Sequence, residues 1–269
     1  MTLTAGADVL WSMFWPLLIA MPRILTATII APLFPASVFP TLLRSTIVVS
    51  LSLGLYPHFA ANAAPATLEP LAWLVLLGKE ILLGALIGLA VGVLVWVFES
   101  AGALIDLQVG LSNALIFDPF GGHQGGPMAS FLAQLAVVLF VIGGGLYVFV
   151  SLLYESFLLW PVASFHPTLT IRIADFGTEY AASLAQLVVR LAAPVILLLV
   201  LVDLGFGLLN RVVPQLNVFF FTMPIKGVLA ALMIALYLSY LADIAGAELL
   251  KLQTALERLA PALAPAVPP

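Results

Sequence analysis

Long apolar runs, cut by short proline- and glycine-rich interruptions, make up most of this chain. In hydrocarbon the backbone must satisfy its own hydrogen bonds, so such runs are expected to be helices. A crossing needs about 20 residues. The pattern predicts helices near 9–33, 42–57, 71–98, 128–153, 180–204 and 217–245, with an amphipathic stretch at 99–113. Pro32, Pro35 and Pro40 separate the first two runs, and the Ala- and Pro-rich stretch 56–70 follows the second. The glycine-rich loop 118–127 divides the middle, and Trp160-Pro161 and His166-Pro167 open a later connection. The second run is short and is the one expected not to cross. That would also reconcile an uncharged, outward start with a cytoplasmic C-terminus carrying Lys251 and Arg258. Residues 1–250 read as one helical domain and 251–269 as a short soluble tail, partly disordered.

Composition names the solvent. Charged residues are 8% and hydrophobic ones 63%, with a mean hydropathy of +1.20. A soluble domain carries roughly 25% charge, so this surface faces lipid or other apolar protein. The fold class is therefore all-α and polytopic. The first run holds Asp8 and no basic residue before Arg23, so it lacks a signal peptide's positive start and reads as a retained helix. Nine scattered Lys and Arg offer no nucleic-acid footprint. There is no cysteine, and His58, His123 and His166 are far apart, which disfavours thiol chemistry and a zinc site. Neither a Gly-x-Ser-x-Gly elbow nor a His-Glu-x-x-His helix is present. The expectation is no enzyme activity, no metal and no cofactor.

Polar groups at membrane depth are costly and usually face protein or water. Arg23, Lys79, Glu80, Arg190, Asp203 and Lys226 all interrupt apolar runs. They read either as a transport or ion route or as paired, buried charges. Glu80, Glu99, Asp106 and Asp203 could serve a proton relay, but nothing in the sequence brings them together. Gly84, Gly88 and Gly92 recur every four residues and allow a neighbouring helix to approach. Glu99, Gly102, Asp106 and Gly110 share another face, a polar one suited to a lumen or a subunit contact.

Two non-helical pieces stand out. In the loop, Gly121, Gly122, Gly125 and Gly126 lie between Pro119 and Pro127, flanked by Phe117 and Phe120. It reads as a flexible plug or as an ordinary loop, and not as a phosphate loop, since no Gly-Lys-Ser/Thr follows. The run Pro214-Gln215-Leu216-Asn217, then Met223-Pro224-Ile225-Lys226, reads as a cavity-lining broken helix or as a loop before a kinked one.

In order, these motifs resemble the SctT family of type III secretion export-apparatus subunits and its flagellar relative FliR. The resemblance rests on Arg23 with Pro32 to Pro40, Arg44, Lys79-Glu80 with Gly84 and Gly88, and Gly102, Asp106, Gln108 and Gly110. It continues through Phe117-Asp118-Pro119, Ser156, Trp160-Pro161, Pro194 and Asp203, and closes on Arg211 to Phe219 and Met223 to Lys226. It spans residues from about 20 to 230, and the Pro-Gln-Leu-Asn block is its most specific part.

The resemblance implies helical hairpins arranged in a cone-like export gate at the bacterial inner membrane, multi-pass and within the secretion-system base, much of it raised out of the bilayer plane. The subunit would look like a fusion of two small partner folds, SctR and SctS, or FliP and FliQ in flagella, with an SctU/FlhB-like switch subunit nearby. Unfolded proteins would pass through the centre. Residues Phe117, Asp118, Pro119, Phe120, Gly121, Gly122, Gly125 and Gly126 would form a plug. Arg23, Glu80, Glu99, Asp106, Gln108, Arg190, Asp203, Gln215, Asn217 and Lys226 would be inter-subunit contacts or lumen lining. Trp160-Pro161 and the Gly143-Gly144-Gly145 run look more like the injectisome branch than the flagellar one. The rival readings are a self-contained secondary transporter, for which an internal repeat would be expected but none is seen, and an intramembrane enzyme.

Overall fold

In the computed structural model the described residues are 2–33, 40–60, 69–110, 126–162, 173–213 and 218–263, and all regular structure among them is α-helical. The helices are α1 (Thr2–Ile30), α2 (Thr41–Ala60), α3 (Pro70–Val109), α4 (Pro127–Ile142), α5 (Gly145–Leu159), α6 (Ile173–Val212), α7 (Val218–Leu236) and α8 (Leu238–Leu263). Two of them contain stretches long and apolar enough to cross a membrane, Pro70–Val109 and Ala182–Val212. The apolar pairs Pro127–Ile142 with Gly145–Leu158, and Phe220–Leu236 with Leu238–Thr254, raise that to four if each pair is one broken span. The chain is an all-α polytopic membrane protein.

Three elements differ from the sequence pattern. The amphipathic stretch expected at 99–113 is not a separate helix up to Val109; those residues are the last turns of the 40-residue α3. No proline or positive-φ residue interrupts the helix at the change from apolar to polar face, so the hydrogen-bond ladder continues. The run expected at 128–153 is broken at Gly143-Gly144, where Gly144 takes φ +81°. That left-handed conformation is open to glycine at little cost. The run expected at 217–245 is interrupted at Tyr237, between α7 and α8.

The chain divides into two compact units. The first comprises Met1–Gly92, Gly144–Ile171 and Leu249–Pro269. Its buried side chains include Ile24, Ala27, Leu76, Phe149 and Leu153, and the Trp15 and Trp73 rings meet edge to face at 4.5 Å. The second comprises Val93–Gly143 and Arg172–Glu248, with Phe98, Ile105, Leu132, Phe140, Leu191, Leu199 and Ile234 buried.

Candidate functional site

In the first unit, three charged groups converge on the end of α5. Pro16 and Pro22 lie within α1, and each lacks the amide that would bond one turn back. Arg23 follows directly and is fully buried. Its neighbour on α3 comes close because Gly84 carries no side chain. A Cβ there would overlap Thr26 Oγ1 and the Arg23 carbonyl, and one on Gly88 would lie 2.8 Å from the Ala27 carbonyl. Gly92, the third of that series, is also buried. The glycine face thus lets α1 and α3 approach until Arg23 reaches Glu80 one turn above Gly84.

The contact is bidentate. Arg23 Nε donates to Glu80 Oε2 at 2.7 Å and Nη2 to Oε1 at 2.9 Å. Nη1 donates to the Ser156 carbonyl at 2.7 Å and its hydroxyl at 3.2 Å, and Nη2 also reaches the Trp160 carbonyl at 3.0 Å. All five guanidinium donors are used. The Phe157 ring lies 4.2 Å from the guanidinium carbon. Lys79 Nζ pairs with Glu80 Oε1 at 2.9 Å and donates to the Pro161 and Val162 carbonyls at 3.0 and 2.9 Å. Two cations thus share one carboxylate. The excess positive charge meets the Ser156 carbonyl in the last turn of α5 and the Trp160, Pro161 and Val162 carbonyls just beyond it, at a helix C-terminus, which favours cations.

The second unit holds a comparable cluster where α3 ends. Gly110, with φ +93°, closes the helix, its amide donating to the Asp106 and Leu107 carbonyls at 3.1 Å each. Lys226 of α7 donates to the Gln108 carbonyl at 2.9 Å and pairs with Asp203 of α6 at 2.5 Å. Gln108 Nε2 donates to the other Asp203 oxygen at 3.0 Å. Lys226 is buried, while the Asp203 side chain is 39% exposed. Asp106 turns instead to the start of α4. Gly126, the N-cap there, has no side chain to donate to, and Pro127 has no amide. Asp106 supplies the missing cap across the chain, accepting from the Met128 amide at 3.2 Å and the Ala129 amide at 2.9 Å. A Cβ on Gly126 would overlap its carboxylate, and one on Gly102 would lie 2.5 Å from the Ala129 Cα.

Of the residues singled out in the sequence, Arg23 and Glu80 are joined in one cluster, and Gln108, Asp203 and Lys226 in another. Asp106 lies in the same last turns of α3. Glu99 is exposed on α3, and Arg190 is exposed on α6, its Nε donating to the Tyr240 hydroxyl at 3.0 Å. Phe117, Asp118, Pro119, Phe120, Gly121, Gly122, Gly125, Gln215 and Asn217 lie outside the described residues. Sequence reasoning missed Tyr237, which donates to the Leu191 carbonyl at 2.9 Å, and Tyr240. Their signal was two phenols three residues apart in an apolar run. Among the described residues no three acidic or histidine side chains gather as a metal site would require. Both clusters are networks of satisfied donors and acceptors, chemically suited to fixing helix ends.

A family model for bacterial export proteins, family 1, matches residues 14–252. The chain is 33% identical over 244 residues to the Yop proteins translocation protein T of Yersinia pestis, covering 90% of this chain and 93% of that protein. It is 33% identical over 197 residues to the surface presentation of antigens protein SpaR of Salmonella typhimurium, covering 73% and 72%. It is also 33% identical over 216 residues to the flagellar biosynthetic protein FliR of Pectobacterium carotovorum, covering 79% and 78%.

Proposed function

The chain belongs to the bacterial export proteins, family 1, and is a type III export-gate subunit related to FliR; on that footing we propose that it builds, with partner subunits, a channel for unfolded proteins across the bacterial inner membrane. The carrying observation is the match to the Yop proteins translocation protein T over 90% of the chain and 93% of that protein. The injectisome branch is the reading taken from Trp160-Pro161 and the Gly143-Gly144-Gly145 run. Its partners in this reading are SctR-like and SctS-like subunits, with an SctU-like switch subunit beside them. The role is structural rather than enzymatic.

The physics of such a gate is consistent with the two clusters. A conduit for unfolded polypeptide needs weak, non-specific contact along its lumen and a seal when idle. It also needs rigid walls. Buried, fully bonded charges at helix ends provide rigidity, because every alternative arrangement strands a charge in an apolar interior. Asp203, part exposed, remains available at the surface of its unit, and with Gln215 and Asn217 nearby in sequence it is assigned to inter-subunit contact or the lumen. The loop 117–126 is assigned to the plug.

The test is co-expression with the SctR-like and SctS-like subunits, purification in mild detergent and mass measurement of the particle. One large assembly containing all three is expected. A stable monomer that moves solutes unaided in liposomes would refute the proposal. Within the assembly, deleting residues 121–126 should raise ion conductance in cells, and unchanged conductance would remove the plug assignment.

A further inference from the structure

Two pairs of consecutive helices are broken, and only one break has a local cause. Between α4 and α5 stands Gly144 with φ +81°. Between α7 and α8 the helix axes turn by 59°, yet residues 233–241, Met-Ile-Ala-Leu-Tyr-Leu-Ser-Tyr-Leu, contain neither proline nor glycine. Among the described residues no side-chain-bearing residue has a positive φ. Sharp kinks almost always have a proline, a glycine, a bulge or an inserted group as their cause.

The buried face also runs through this break without a change of phase. Ala230, Ile234, Leu241 and Ala245 are buried at the spacing of one continuous helix, with Tyr237 between them. Among the described residues, the backbone bonds that span the break are those of Tyr237. Its amide donates to the Met233 carbonyl and its carbonyl accepts from the Leu241 amide, both at 3.1 Å. A straight helix would let the Leu238, Ser239 and Tyr240 amides reach the Ile234, Ala235 and Leu236 carbonyls as well. The local sequence therefore favours a straight helix, and the bend is held from outside.

The hold comes from α6. The Tyr237 hydroxyl donates to the Leu191 carbonyl at 2.9 Å, and the Tyr240 hydroxyl accepts from Arg190 Nε at 3.0 Å. Pro194 has no amide to offer the Arg190 carbonyl, so the ladder of α6 misses a rung at this same turn. The next carbonyl, Leu191, has a second lone pair for the phenol. The Leu191 and Ile234 side chains are buried, and in such apolar surroundings a single hydrogen bond is electrostatically strong.

We propose that the bend between α7 and α8 is a two-state latch. Tyr237 holds the bent state through Leu191, and its release lets α7 and α8 run on as one helix. Straightening carries Ala247, about 15 Å beyond the break, through about 15 Å. Elements with two discrete arrangements are how a small local change becomes a large one. In the assembled gate the bent state belongs to the idle, sealed conduit and the straight state to passage of a polypeptide; that assignment rests on the export-gate reading.

The chain has no cysteine, so Val228→Cys with Ala247→Cys places two spin labels at exposed positions on either side of the break. Their separation would be read in the particle purified in mild detergent. Helical arms meeting at 59° give about 25 Å, and a straight helix gives about 29 Å. The parent should show the short distance. Tyr237→Phe, which removes the donor and keeps the ring, should add a second peak about 4 Å longer. Adding Leu238→Pro should restore the short distance alone, because proline suits the first residue of α8 and forbids the straight ladder. A Tyr237→Phe distribution identical to the parent's, or one that broadens without a second peak, would overturn the latch. So would a long distance that survives Leu238→Pro. In cells, Tyr237→Phe should raise the ion conductance of the idle gate and Leu238→Pro should return it to the parent level; shifted distances with unchanged conductance would overturn the gating role. Particle mass is measured on the same samples. A particle lacking its partners counts against the export-gate reading, while the distances still decide the latch, since both labels are on this chain.

Discussion

Glu80→Gln tests the cluster that joins α1, α3 and the end of α5. The parent carboxylate accepts two bonds from Arg23 and one from Lys79, and both Arg23 and Glu80 are fully buried. The amide keeps one acceptor oxygen but turns a donor toward either Arg23 or Lys79. Two buried cations then have no counter-charge. Removing one partner of a buried pair costs roughly 3–5 kcal/mol, and solvent screening gives no relief at this depth. Denaturation of the purified assembly in mixed micelles, followed by tryptophan emission, is the assay. Trp15 and Trp73 are 4.5 Å apart, and the Trp160 ring lies 5.8 Å from Lys79 Nζ, so the reporters surround the cluster. Glu99→Gln, exposed on the same helix, should stay within about 0.5 kcal/mol of the parent. The double change Arg23→Met with Glu80→Leu removes the pair but leaves Lys79 without its carboxylate and the Trp160 carbonyl without its Arg23 donor. It should remain destabilised, since each orphaned buried polar group costs about 1–3 kcal/mol. If Glu80→Gln unfolds like Glu99→Gln, the pair does not hold these helices and the reasoning is refuted.

Other outcomes follow from the same geometry. Gly84→Ala should destabilise by about 1–3 kcal/mol through overpacking. Gly78→Ala on the same helix, with nothing within 4 Å of its added Cβ, should stabilise by up to about 1 kcal/mol; equal melting temperatures for the two would contradict the close approach of α1. Asp106→Ala should cost about 0.5–2 kcal/mol as a lost cap and speed hydrogen exchange at Met128 and Ala129, whereas unchanged protection there would remove Asp106 from that role. Neutralising Lys226 or Asp203 should weaken assembly on native gels more than it alters conductance. Intact particles with altered conductance would place the pair in the ion path instead.

Much of this protein was legible along the chain. The scarcity of charge identifies an apolar environment, because too few polar groups exist to hold a water-facing surface. The four-residue spacing of Gly84 and Gly88 marks a helix face that admits a neighbour, and the ordered motifs point to the export family. Helix type needs only local information, since each backbone bond closes within one turn. Which charge meets which was decided by tertiary structure. Arg23 and Glu80 are 57 positions apart, and Arg23 and Ser156 are 133 apart; no local pattern encodes such meetings. Asp106, placed by sequence on a polar face, caps a helix that begins 21 residues later. The break at Gly144 had a signal in the Gly143-Gly144-Gly145 run, whereas the one at Tyr237 was hidden, because an apolar run looks the same whether its helix continues or turns. Hydrophobicity fixes the solvent of each segment, while the pairing of buried charges depends on which backbones can touch, and that emerges only when the helices pack.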